Sequence, residues 1–307
     1  MNKEKNTPAY LALFSIYIIW GTTYLAIRIG VENLPPVLFT GLRWIVAGPI
    51  LLIILLLRKY KLPSKNDLLH LGIIGLLLIG GGNVFVVFAE QWVPSGLTAL
   101  LITTVPFWVV GLDAIIPQGK RINPTILLGL LLGLVGIGII FGEDFAQLFN
   151  PSYLGGIIAL MLAVFLWSAG TLYSKYKKVS VHPLMGAAVQ MIIAGIVITV
   201  LGLILGEGSK FHFTNSSFYS YLYLVLVGSL LGYASYVYAI AHLPVSLVAT
   251  YAYVNPVIAL FLGWLILDEK ISLWIILAAV VILFGVTLVK KGSEIQTLKN
   301  SFVNKIT

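Results

Sequence analysis

Apolar stretches separated by short polar turns recur along the whole chain. A helix needs roughly 20 apolar residues to cross the hydrocarbon core of a bilayer. By that test the pattern predicts helices near 8–28, 35–57, 68–91, 95–116, 124–141, 151–174, 182–205, 218–241, 244–267 and 273–289. Pro94 and Pro244 each open a helix straight after a turn, where the missing N–H costs nothing. The run from Ala9 to Ile27 is long enough to span, and no small-residue cleavage site closes it. It is expected to be a retained first helix rather than a signal peptide. The expected fold is therefore all-α and integral to the membrane, with ten transmembrane helices.

Composition points the same way. Of the 307 residues, 59% are hydrophobic and 10% charged, with a mean hydropathy of +1.02. Soluble domains carry about 25% charged residues, and so much apolar surface cannot be hidden from water at this length. A soluble enzyme is excluded. The net charge of +8 would suggest a nucleic-acid partner in a soluble protein. Here the basic residues form short clusters between apolar runs, so the orientation rule for membrane loops accounts for them and no nucleic acid is expected. There are no cysteines, which excludes disulfides and thiolate chemistry.

Placing both termini in the cytoplasm puts 15 of the 19 basic residues inside, among them Lys3, Lys5, Arg58, Lys59, Lys120, Arg121, Lys175, Lys177, Lys290 and Lys291. Only Lys210 and Lys270 fall in outside loops, while Arg28 and Arg43 fall within helices. The asymmetry predicts a multi-pass protein of the cytoplasmic membrane with both ends inside.

The two halves of the chain match at a nearly constant offset. Trp20–Arg28 lies over Trp167–Lys175, Pro36 over Pro183 and Gly48 over Gly195, all at 147. Pro94–Ala99 lies over Pro244–Ala249, Pro106 over Pro256 and Lys120 over Lys270, at 150. Each unit holds five helices, an odd number, so the second inserts upside down relative to the first. The expected organisation is a short cytoplasmic N-terminus (1–7), a first five-helix unit (8–141), a second (151–289) and a basic cytoplasmic tail (290–307). Inverted repeats of this kind are a transporter architecture with the site between the units.

The Trp-Gly-Thr-Thr at Trp20, the Gly-Leu-Arg-Trp at Gly41–Trp44 and the Pro-Ser-Gly-Leu-Thr-Ala at Pro94–Ala99 resemble the EamA-type drug/metabolite transporters. So do Tyr251–Pro256 and Asp268-Glu269-Lys270, and the resemblance runs from about Tyr10 to Lys291. It implies ten helices around a cavity lined mostly by helices 1, 3, 4, 6, 8 and 9, with helices 5 and 10 peripheral. It also implies export of small metabolites such as amino acids. One departure is that Gly119 stands where the second half has Glu269.

Ionisable groups within a membrane are functional candidates. Arg43 lies roughly 12 Å past the helix start at Pro35, at 1.5 Å per residue. It either binds a substrate carboxylate through its planar fork or holds a fixed structural partner. Glu90, at the end of the third helix, is a candidate for proton coupling, or else an interface residue paired with Arg28. Asp113 is expected to snorkel. Trp20, Tyr24 and Arg28 form one stripe on the first helix, and Trp167, Thr171 and Lys175 repeat it on the sixth. These stripes read either as gates at opposite faces of one cavity or as interfacial anchors. Eight of the 15 tyrosines lie between Tyr219 and Tyr253. Of these, Tyr233, Tyr236 and Tyr251, with Asn83 and Asn255, are candidates for the cavity wall, where they suit a zwitterion or an aromatic cation. Interhelical hydrogen bonds are the alternative. Pro106 and Pro256 are expected helix kinks. The glycine pairs Gly129/Gly133, Gly138/Gly142 and Gly228/Gly232 are packing signals.

Neither a phosphate loop nor a metalloprotease or nucleophile-elbow motif occurs, so neither cofactor nor metal is expected. The inverted repeat predicts a secondary transporter working by alternating access, not an enzyme, and the resemblance implies that it exports small metabolites (amino acids or related compounds, drugs included). Its partners would be its solute and the bilayer, as a monomer or homodimer. The alternatives are a polytopic protein without transport activity and an intramembrane lipid-modifying enzyme.

Overall fold

The computed structural model describes residues 6–117, 119–140, 149–258 and 273–306, with only the backbone at 95, 96 and 297–306. All regular structure among these residues is helical. Eight helices are long and apolar enough to cross a membrane: α1 (Thr7–Val31), α2 (Pro36–Leu57), α3 (Lys65–Ala89), α4 (Leu97–Ile115), α6 (Pro151–Tyr176), α7 (Pro183–Ile204), α8 (Asn215–His242) and α10 (Leu273–Gln296). Two apolar helices are shorter, α5 (Pro124–Ile140) and α9 (Val245–Ile258). The second half expected for α9, Asp268–Lys270, and the acidic pair Glu143 and Asp144 lie outside the described residues. The α10 helix does not stop with its apolar run but continues to Ile306. Past Lys291 no proline interrupts it.

Local chemistry sets the starts. Proline occupies the first turn of α1, α2, α6 and α7, where its fixed φ favours the helix. Ser64 Oγ accepts the Asp67 N–H at 3.1 Å ahead of α3. Thr214 and Ser217 form a reciprocal capping box on α8. The Glu207 carboxylate accepts the Leu38 N–H at 2.6 Å, tying the start of α2 to the chain after α7.

Short connections make successive helices run up and down. The odd-numbered helices begin at one end, here the near end, and the even-numbered helices finish there. Contacts across the bundle agree. Lys175 at the end of α6 meets Leu243 beyond α8, while Arg28 of α1 meets Glu90 beyond α3 at the far end. Large apolar side chains such as Leu57, Ile204 and Val280 point outward, an arrangement suited to lipid and not to water.

Helices equivalent under the sequence offset pack on each other. In the α2–α7 pair, a Cβ on Gly41 would stand 2.5 Å from the Thr199 nitrogen, and one on Gly195 2.5 Å from that of Ile45. At Gly202 it would stand 2.8 Å from the Leu38 nitrogen. Residue numbers rise on one helix as they fall on the other, so the two equivalents are antiparallel. The α5–α10 pair repeats the motif, with Gly129 and Gly285 each too close to the other's carbonyl for any side chain. Gly129 therefore packs within the bundle.

Both α3 and α8 pass through π-helical stretches, Leu76–Asn83 and Leu224–Tyr233. These segments are also equivalent under the offset. Such turns are rare and recur at functional sites. No hydrophobic pattern announces them.

Candidate functional site

A small cavity of about 70 Å³ lies between the two halves, in the far half of the bundle. Trp20 and Tyr24 reach it from α1, Arg43 and Trp44 from α2, Asn83 from α3, Trp167 from α6 and Tyr251 from α9. Arg43 is the one charged side chain among the described lining residues.

Arg43 is 3% exposed. Its Nε donates to Ser229 Oγ at 2.5 Å, and its guanidinium stands 4.6 Å from the Trp44 ring centroid. The fork still has donors to give, because Nη1 is buried with no acceptor among the described residues. A buried cationic donor without a partner is costly, and a carboxylate or phosphate oxygen would answer it. Trp44 is itself fixed through its Nε1–H to Asn83 Oδ1 at 3.2 Å.

Towards the near end the cavity is closed by aromatic rings. Trp20 and Trp167 meet edge to face, 5.5 Å between centroids. Tyr236 lies 5.0 Å from each, and Tyr251 lies 5.0 Å from Trp20. The two π segments make room for this layer. A Cβ on Gly82 would stand 2.7 Å from the Trp167 ring, and one on its equivalent Gly232 2.6 Å from Trp20 Nε1. The Trp20 Nε1–H donates to the Gly228 carbonyl at 3.3 Å. Below the layer, Thr171 and Tyr236 share a hydrogen bond of 2.5 Å, and Tyr17 and Thr250 one of 2.7 Å.

Tyr233 and Asn255 stand behind the wall and not on it, while Tyr236 belongs to the aromatic layer beneath the cavity. Tyr233 donates to Gln190 Oε1 at 2.8 Å, and the Asn255 amide, oriented to suit its neighbours, donates to the Tyr251 and Tyr17 carbonyls at 2.9 and 3.1 Å. For α8 the interhelical hydrogen bonds prevail, and α2 takes the place in the lining that the family resemblance gave to α8. Thr23, Trp44, Gly82, Val86 and Val164 line the cavity without having been singled out. Most lie one turn from a residue that was, which is the signal that would have found them.

Pro106 sits just after a break in α4 at Thr103–Thr104. Pro256 lies within α9, two turns beyond a similar break at Ala249–Thr250. Asp113 does not snorkel. It is buried, with Tyr176 donating to Oδ1 at 2.6 Å, because the neighbouring helix offers a hydroxyl nearer than the interface. Glu90 is fully buried, and neither carboxylate oxygen has a partner among the described residues. Arg28 reaches it but donates to the Glu90 main-chain carbonyl, not to the carboxylate.

The two helix stripes end in matching contacts. Arg28 Nη1 donates to the carbonyl of residue 90 at the far end. Its equivalent Lys175 donates to the carbonyl of Ile240, the equivalent of residue 90, at 2.8 Å, and to that of Leu243 at 2.8 Å, at the near end. Each cation thus pins the close of one helix onto another, at opposite ends of the bundle. No cluster of His, Cys, Asp or Glu able to hold a metal ion occurs among the described residues.

Fold and site together define a multi-pass helical membrane protein with an aromatic, cationic cavity between two repeats. The profile of the EamA-like transporter family matches residues 7–142 and again 154–290. The chain belongs to that family. It is 38% identical over 293 residues to the inner membrane transporter YedA of Escherichia coli (strain K12), covering 95% of this chain and 94% of YedA. It is 28% identical over 277 residues to the transporter YoaV of Bacillus subtilis (strain 168), covering 90% of this chain and 94% of YoaV. It is 27% identical over 282 residues to a probable amino-acid metabolite efflux pump of Escherichia coli (strain K12), covering 88% of this chain and 90% of that protein. A solved crystal structure shares the fold, with a TM-score of 0.76 at 21% identity over 93% of this chain and 98% of the other.

Proposed function

We propose that the protein is a secondary transporter that exports a small metabolite bearing an anionic group, an amino acid or a related acid, across the cytoplasmic membrane by alternating access. The observation that carries this reading is the buried Nη1 of Arg43, unpaired beside aromatic rings in the cavity. A guanidinium in a low-dielectric wall attracts a carboxylate and repels a cation. The aromatic cation that tyrosines alone would suit is therefore disfavoured, while a zwitterion or anion fits. The name of the efflux-pump relative is in keeping with this cargo. In this reading ten helices cross the membrane with both termini inside, the near end is cytoplasmic, and the protein works as a monomer or homodimer.

Efflux from proteoliposomes loaded with labelled amino acids, organic acids and aromatic cations tests it. An acid or amino acid should leave faster than from empty liposomes, and the cations should not. Movement of the cations alone would refute the reading. Glu90 is placed as the coupling carboxylate, because a buried carboxyl that gains and loses a proton changes the charge beside Tyr24 and Arg28. Glu90→Gln is expected to abolish the response of efflux to a pH gradient while leaving exchange at equal pH in place. A retained response would remove Glu90 from that role.

The matched cation contacts serve as the two gates. Alternating access requires that each end open in turn, and one latch per end, related by the repeat, is the simplest hardware for that. The chain has no native cysteine, so a single Ala163→Cys in the cavity reports which side is open. Arg28→Met should raise its labelling by an impermeant maleimide from the far side about tenfold, a shift of roughly 1.4 kcal/mol. Lys175→Met should do the same from the near side. Equal effects of both variants from one side would exclude the gate assignment.

A further inference from the structure

We infer a second anion-binding site at the near end, a vestibule that takes a carboxylate or phosphate group of a water-soluble solute between Lys120, Lys175 and Lys290. It lies under the α8–α9 turn, bounded also by Tyr10 and Glu294. Three lysines and one glutamate thus line it, with His242 at the rim. Asp113, just outside this lining, accepts from Tyr176 and also acts on Lys120 and Lys175, so positive charge still exceeds negative by one. Lys120 and Lys175 are close enough to act on each other's charge, and an oxyanion between them would relieve that repulsion. Lys175 has three N–H donors; two are held by the Ile240 and Leu243 carbonyls, which leaves one for a ligand. Lys290 is steadied over the Tyr10 ring at 5.1 Å. A concave site with an excess of one sign of charge concentrates counter-ions.

The placement favours a soluble ligand over a lipid headgroup. Lys175 continues the stripe of Trp167 and Thr171, roughly 12 Å along α6 from the cavity at 1.5 Å per residue, on the inner side of the aromatic layer and not on the lipid-facing coat. An anion seated here would compete with the two carbonyls for the Lys175 ammonium and so loosen the near-end latch. That last step rests on the carrier reading above; the site itself does not.

The test uses pyridoxal 5′-phosphate, whose phosphate seeks an oxyanion site. Its aldehyde condenses with a lysine amine with loss of water, and borohydride reduces the imine to a stable amine. The full-length protein is labelled in phosphatidylcholine nanodiscs, and the modified lysines are read by mass spectrometry. Vestibule lysines should react about tenfold faster than the exposed Lys59, Lys61 and Lys65, with inorganic phosphate and glutamate protecting them. Lys120→Gln with Lys290→Gln, which leaves the Lys175 contacts intact, should raise the protecting phosphate concentration about tenfold at Lys175. Uniform labelling, absence of protection, or protection by added phosphatidylglycerol but not by soluble anions would overturn the proposal. Because labelling needs no carriage, efflux without protection refutes the vestibule alone, and protection without efflux refutes only the carrier reading.

Discussion

Replacing Arg43 with alanine is expected to lower the apparent affinity for an anionic cargo roughly a hundredfold, about 3 kcal/mol, while the protein still folds. The size follows from the setting. Removing one partner of a buried, charge-assisted pair leaves the other desolvated without compensation. The aromatic wall next to Arg43 offers no other cation among the described lining residues. Arg43→Lys separates charge from shape. It keeps the positive charge but loses the planar fork and the Nε bond to Ser229, so an intermediate affinity is expected. Concentration dependence of uptake into proteoliposomes, with folding checked by size-exclusion chromatography, decides the matter. Wild-type affinity in Arg43→Ala would make the arginine a structural residue and move cargo recognition elsewhere.

The largest effect on stability is expected at the α2–α7 seam. In Gly195→Val the new Cβ would stand 2.5 Å from the Ile45 nitrogen and 2.9 Å from the Trp44 carbonyl carbon. Main chain cannot step aside as a flexible side-chain tip can, so the helices must separate along their whole contact. Overpacking typically costs 1–3 kcal/mol, and a branched side chain against backbone belongs at about 3 kcal/mol. SDS-titrated unfolding in mixed micelles measures it. Gly155→Ala is the control: nothing lies within 4 Å of a Cβ built there, and its unfolding midpoint should stay at the wild-type value. An unshifted midpoint for Gly195→Val would mean that the seam is looser than the backbone spacing indicates.

The same seam explains what could be read from the chain in advance. Hydrophobic length located the helices, because a bilayer allows little else, and the offset between halves paired Trp20 with Trp167 before their contact was visible. The depth of Arg43 was legible from counting along α2. Its partner was not. Ser229 lies in a π stretch, where the side-chain register slips away from the α-helical count, so no spacing rule points Ser229 at Arg43. Of the two readings open for the α8 tyrosines, the hydrogen bonds between helices describe Tyr233 and Tyr236, bonded to Gln190 and Thr171. Glu90 and Arg28 were correctly judged near each other, but the arginine's acceptor is a main-chain carbonyl. Free carbonyls occur at every helix end and leave no mark in residue type. Asp113 was misjudged because its distance from the helix end was known and the hydroxyl of Tyr176 across from it was not.

The α2–α7 contact joins two helices that the repeat makes equivalent, so its axis is common to both halves of the molecule. In the carrier reading proposed above, a stiff glycine seam on that axis would act like the pivot of a seesaw. Tilting one half against the other widens one end by as much as it narrows the opposite one, and the two mouths cannot gape together. Leakage in that reading would be prevented by leverage at the spine, with no message needing to pass between the ends.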